Sequence, residues 1–94
     1  MTINKERMRL FELDLRASFN VSHLHIEDES HLHAGHAGAA SGGGHFKVTI
    51  VAPEFSGLNQ VARHRAIYGA LNKHFPEAIH ALTIQALTPS ESTS

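Results

Sequence analysis

The hydrophobic period switches several times along the chain, and those switches restrict its fold more than any other feature. Leu24 and Ile26 in residues 23–28, Phe46, Val48 and Ile50 in 45–51, and Leu82, Ile84 and Ala86 in 81–87 recur at every second position. Successive side chains of a strand point to opposite sides, so each stretch reads as a half-buried strand. Residues 4–19 and 58–75 repeat at three and four instead. Met8, Phe11, Leu15 and Phe19 stack on one helical face, which Leu10 and Leu13 widen. Leu58, Val61, Tyr68, Leu71 and Phe75, supported by Ala62 and Ile67, form the second helical pattern. A break is expected in it near Arg63, His64 and Arg65, followed by a stop at Pro76.

The predicted order is α-β-β-α-α-β, an α+β fold. Alternating strands want one face covered and one face wet, so helices should pack on one side of a three-stranded sheet. The third strand is reached from the second through a helix, so part of the pairing is parallel and the sheet is mixed. With 94 residues, the whole of 1–94 is expected to be a single domain. Residues 30–44 hold Gly35, Gly38, Gly42, Gly43 and Gly44 and nothing apolar at packing intervals. They are expected to form a flexible loop, of a length that is usually functional or disordered. Residues 90–94 read as a polar, frayed tail after Pro89.

Eight basic and nine acidic residues leave a formal net charge of −1. That balance argues against a strongly electrostatic nucleic-acid binder, although a local basic patch stays compatible with it. The chain has no cysteine, so disulfides, zinc thiolates and thiol chemistry cannot come from it alone. No apolar run approaches the ~20 residues of a membrane span. Lys5, Glu6, Arg7, Arg9, Glu12 and Asp14 interrupt any signal-peptide core, and a soluble, cytoplasmic protein is the expectation.

Nine histidines are the first pointer to chemistry, since imidazole titrates near neutrality and is the commonest metal ligand. His31, His33 and His36 are close enough on glycine-rich backbone to chelate a transition metal, and equally suit a solvated loop. His64 lies between Arg63 and Arg65, whose like charge disfavours the imidazolium and leaves the neutral ring a metal needs; an ordinary charged helix surface explains the triplet as well. His45 opens the second strand, His23 and His25 fall on the wet face of the first, His74 suits a helix C-terminus, and His80 precedes the third strand. Asp28 and Glu29 are adjacent and point to opposite faces, which makes them poor acid–base partners. No hydrolase, phosphate-loop, dinucleotide or metalloprotease signature is present, so the residues describe a binding module and not an enzyme.

Several blocks, in order, resemble the BolA family. They are Asp28-Glu29-Ser30, His45-Phe46-Lys47-Val48, Phe55-x-Gly57-Leu58, Val61-x-Arg63-His64-Arg65-x-x-Tyr68, and Ile79-His80-Ala81-Leu82 running to Leu87-Thr88-Pro89. The resemblance spans about residues 8–89. The resemblance implies a fold like the class II KH domain. It also implies a partnership with a monothiol glutaredoxin, in which a 2Fe–2S cluster is bridged between the chains with glutathione supplying a thiolate. In that arrangement His64 is one ligand and His33 the best match for the second, with His31, His36 and His45 as neighbours able to substitute; no cluster is expected in the isolated chain. The family's other suggested role is DNA-binding transcriptional regulation, for which Arg63, Arg65 and Lys73 would be a thin basic surface. One departure is that Thr88-Pro89 is followed by Ser90-Glu91-Ser92, without the aromatic residue common there in the family.

Overall fold

The computed structural model describes residues 3–29, 44–75 and 77–92. The elements are α1 (Ile3–Ser18), β1 (His23–Asp28), β2 (Gly44–Val51), a 3-10 turn (Pro53–Phe55), α2 (Gln60–Leu71), a second 3-10 turn (Asn72–His74), β3 (Ile79–Leu87) and a short α3 (Pro89–Ser92). The sheet order is β1–β2–β3; β1 runs antiparallel to β2, and β3 parallel to it. The expected α+β architecture with a mixed three-stranded sheet is therefore present. The central strand carries the core: Phe46, Val48 and Ile50 are fully buried against Phe11 and Leu15 of α1 and Ile67 and Leu71 of α2. Phe11 and Phe46 meet edge to face, their ring centroids 5.0 Å apart, a favoured aromatic geometry.

Both helices are narrower in their buried stripe than their apolar content suggests. Leu10 and Leu13, expected to widen the α1 face, are 44% and 55% exposed. They lie about 100° and 200° around the helix from Phe11, outside the arc a small sheet covers. On α2 the inward residues are Arg63, Ile67 and Leu71, while Val61 and Tyr68 on the helix and Leu58 ahead of it remain exposed. The helix also runs unbroken through Arg63, His64 and Arg65, contrary to the expected break. Asn59 caps it, accepting from the Ala62 N–H at 2.9 Å. Gly57, at φ +83°, makes the tight turn ahead of it in a backbone region that favours glycine.

The third strand begins at Ile79, two residues before the expected start. A register shift pairs Gly44 with Ile79 and His45 with Ala81, so His80 is an extra residue and Ile79 can turn into the core. Gly44 belongs to β2 and not to the loop. The rest of that loop, the stop at Pro76 and residues 93 and 94 lie outside the described residues.

The frayed tail is also corrected. Residues 89–92 form a helical turn, in which the Glu91 N–H donates to Thr88 Oγ1 at 3.3 Å and the Thr88 N–H donates to Glu91 Oε1 at 2.8 Å. This reciprocal capping box, with proline in the first helical position, gives the segment its own start signal.

Candidate functional site

His64 stands half-buried on α2, and its imidazole makes no hydrogen bond with any described residue. Val61, three residues before it, and Tyr68, four residues after, share its side of the helix. Both are exposed, at 60% and 41%, so helical spacing sets an apolar rim one turn to either side of His64. The rim is held in place. The Tyr68 hydroxyl donates to the Leu82 carbonyl of β3 at 3.4 Å, and its ring leans on Phe75 with centroids 5.5 Å apart. An imidazole without an internal partner keeps a lone pair available to a metal or to a donor on another molecule.

Arg63 points the other way and is only 5% exposed. Its guanidinium donates to the Leu58 carbonyl at 2.9 Å, to the Ala86 carbonyl at 3.0 Å, and to both carboxylate oxygens of Glu91 at 2.7 and 3.2 Å. Glu91 is pulled down to about 2, first by this guanidinium and then by the Thr88 N–H. Arg63 is therefore removed from the expected basic surface, because its charge is directed inward and compensated. The like-charge argument for His64 loses one of its two arginines for the same reason. Lys73 is exposed, but its ammonium lies 3.3 Å from Asp14 Oδ1, and Arg65 is exposed on α2.

The other histidines are dispersed. His45 alternates with buried Phe46 and so occupies the sheet face opposite α2, where its Nε2 lies 3.4 Å from Thr83 Oγ1 and 3.8 Å from Glu29. The fold does not bring it together with His64. His31, His33 and His36 lie outside the described residues. His23 and His25 are on the exposed face of β1, and His25 sits 3.3 Å from Glu27. Among the described residues no group of three His, Asp or Glu side chains converges on a metal position.

Two pairings were missed in the sequence. Glu91 was legible, since Thr88-Pro89-Ser90-Glu91 carries the spacing of a capping box. The other joins residues sixty positions apart: His74 Nε2 meets Asp14 Oδ2 at 2.6 Å, with its ring edge on Phe11. The bond to His74 is the main reason the Asp14 carboxyl lies below its ordinary value. No local signal announces it.

A family model described as BolA-like protein matches residues 15–91. The DNA-binding transcriptional regulator BolA of Haemophilus influenzae is 39% identical over 83 residues, covering 88% of this chain and 78% of that protein. Protein BOLA1, chloroplastic, of Arabidopsis thaliana is 47% identical over 74 residues, covering 76% of this chain and 46% of that longer protein. Among solved structures, the BolA domain of SufE1 from Arabidopsis thaliana superposes with a TM-score of 0.79 at 37% identity, over 90% of this chain and 94% of that one. No helix among the described residues is long and apolar enough to cross a membrane.

Proposed function

The chain belongs to the BolA-like protein family, and on that premise we propose that it is a non-enzymatic adaptor sharing a 2Fe–2S cluster with a monothiol glutaredoxin, with His64 as one ligand. The observation that carries this reading is His64 itself, half-buried inside an exposed apolar rim and without a hydrogen bond to any described residue. Metal binding there breaks no described internal bond, and Val61 and Tyr68 offer the kind of apolar contact a protein partner buries.

Chemistry sets the remainder. Clusters of this type take four ligands, usually cysteine thiolates, with imidazoles replacing two of them on one iron in some centres. This chain has no cysteine and, among its described residues, no three-ligand cage. It fits the cluster only as half a site, completed by a partner's cysteine and by glutathione. Of the second-ligand candidates, His33 is proposed first and His31 and His36 as substitutes, whereas His45 is disfavoured by its position across the sheet. When bound, the cluster would supply one-electron chemistry and transferable iron; the chain's part is to present His64 and dock the partner.

The test is anaerobic cluster reconstitution of this chain with a monothiol glutaredoxin and glutathione, followed by visible circular dichroism. A spectrum distinct from that of the glutaredoxin alone, lost in His64→Ala, is expected. An unchanged spectrum in His64→Ala would remove His64 from the site.

A second reading, DNA binding, is favoured by the similarity to the DNA-binding transcriptional regulator BolA of Haemophilus influenzae. With Arg63 buried, its footing in the chain shrinks to Arg65 and Lys73. Affinity for duplex DNA that falls steeply with salt would support it.

A further inference from the structure

β1 lies at the edge of the sheet, and no described strand pairs with its outer side. The Glu29 N–H donates to the His45 carbonyl at 2.8 Å, continuing the register that sets Asp28 opposite Phe46. In an antiparallel ladder such hydrogen-bonded pairs recur at every second residue. The backbone groups of His23, His25 and Glu27 therefore turn to β2, and those of Leu24 and Ile26 turn outward.

The side chains on the open face follow a second pattern. His23, His25, Glu27 and Glu29 alternate with Leu24, Ile26 and Asp28, so the open face reads His, His, Glu, Glu, with Ile26 midway along the strand on the other face. That order is antisymmetric. When a second copy of the strand is laid antiparallel with Ile26 opposite Ile26, His25 faces the partner's Glu27 and His23 faces the partner's Glu29, each pair occurring twice. The same register makes the two isoleucines a hydrogen-bonded pair through their outward backbone groups. It also puts the His–Glu pairs at the non-hydrogen-bonded positions, where side chains approach closest. Charges on an edge strand commonly ward off such pairing; here their order favours it.

The inner side agrees. An open groove of about 360 Å³ lies between α1 and β1, lined by the half-buried Met8, Leu24 and Ile26 and by the exposed Lys5, Arg9, Glu12 and His25. A strand added to β1 would close this groove. Asp28, which would meet the partner's Leu24, already accepts a hydrogen bond from Asn4 Nδ2 at 3.0 Å.

We propose that the chain associates with a second copy of itself by antiparallel pairing of the two β1 edges, centred on Ile26, extending each three-stranded sheet into the other. Lys47 on β2 stands opposite Glu27, His25 lies 3.3 Å from Glu27 of its own strand, and His45 lies 3.8 Å from Glu29; among the described residues these are the charged and titratable groups on the face of the His–Glu ladder.

The experiment is sedimentation equilibrium of the full chain, joined to hydrogen exchange at low and high concentration. A dimer is expected, in which the Leu24 and Ile26 amides become protected with concentration while the inward His25 amide does not change. His25→Glu, at an exposed side chain, weakens association by about tenfold, and adding Glu27→His restores it because the antisymmetry returns. A chain that stays monomeric, a dimer whose Leu24 and Ile26 amides exchange as fast as in the monomer, or association indifferent to His25→Glu would overturn the proposal.

Discussion

Arg63 carries its charge inward and meets a single carboxylate there. Glu91 answers that guanidinium and, through the same side chain, caps its own turn at Thr88. The pair joins the turn before α2, the end of β3 and α3, which are far apart in sequence. Its pH dependence follows from the carboxyl being held at about 2 in the folded chain against an ordinary 4.5. A carboxyl lowered on folding stabilises fully above its unfolded value, and the contribution fades as pH falls through its folded value. Glu91→Gln should therefore lower the unfolding midpoint at neutral pH, with the gap from wild type narrowing between about pH 4.5 and about pH 2. Thermal unfolding of both proteins across that window checks this; a gap independent of pH would mean that the hydrogen bonds alone, and not the ionised carboxylate, hold the turn.

α2 owes its placement to how it starts. Gly57 turns the chain at φ +83°, Asn59 caps the first turn, and the Leu58 carbonyl receives Arg63. A Cβ at Gly57 would meet nothing within 4 Å. Gly57→Ala should thus cost about 1 kcal/mol through backbone strain alone, measurable as a lower denaturation midpoint with an unchanged cluster spectrum. The strands and both long helices were readable because their periods differ so clearly. What the periods did not reveal was which side of a helix the small sheet would cover. Val61 and Tyr68 read as core by spacing together with Ile67 and Leu71, yet of the four only Ile67 and Leu71 are buried, and the misread pair flanks the candidate site. His64 was conspicuous through its flanking arginines, although one of them is a core ion pair. The bulge at His80 and the Asp14–His74 bond depend on partners brought together only by the finished fold, so local pattern carried no trace of them.

At the scale of the whole molecule, the two proposed surfaces sit at opposite ends of the sheet. α2 is tied to β3 through Arg63 to Ala86 and Tyr68 to Leu82, whereas the β1 edge lies beyond β2. Self-association at β1 should leave His64 and its rim uncovered, so the two activities are separable by substitution. His64→Ala should abolish the cluster signal and leave the dimer intact. His25→Glu should leave the cluster signal intact and, near the wild-type dissociation constant, shift the complex from two chains with two glutaredoxins towards one of each. Light scattering beside visible circular dichroism, on both variants, reads the two quantities together. Loss of the cluster signal in His25→Glu would mean that the β1 edge and the His64 surface act as one site, and a shared-cluster complex would then have to be built across the pair of chains and not on each alone.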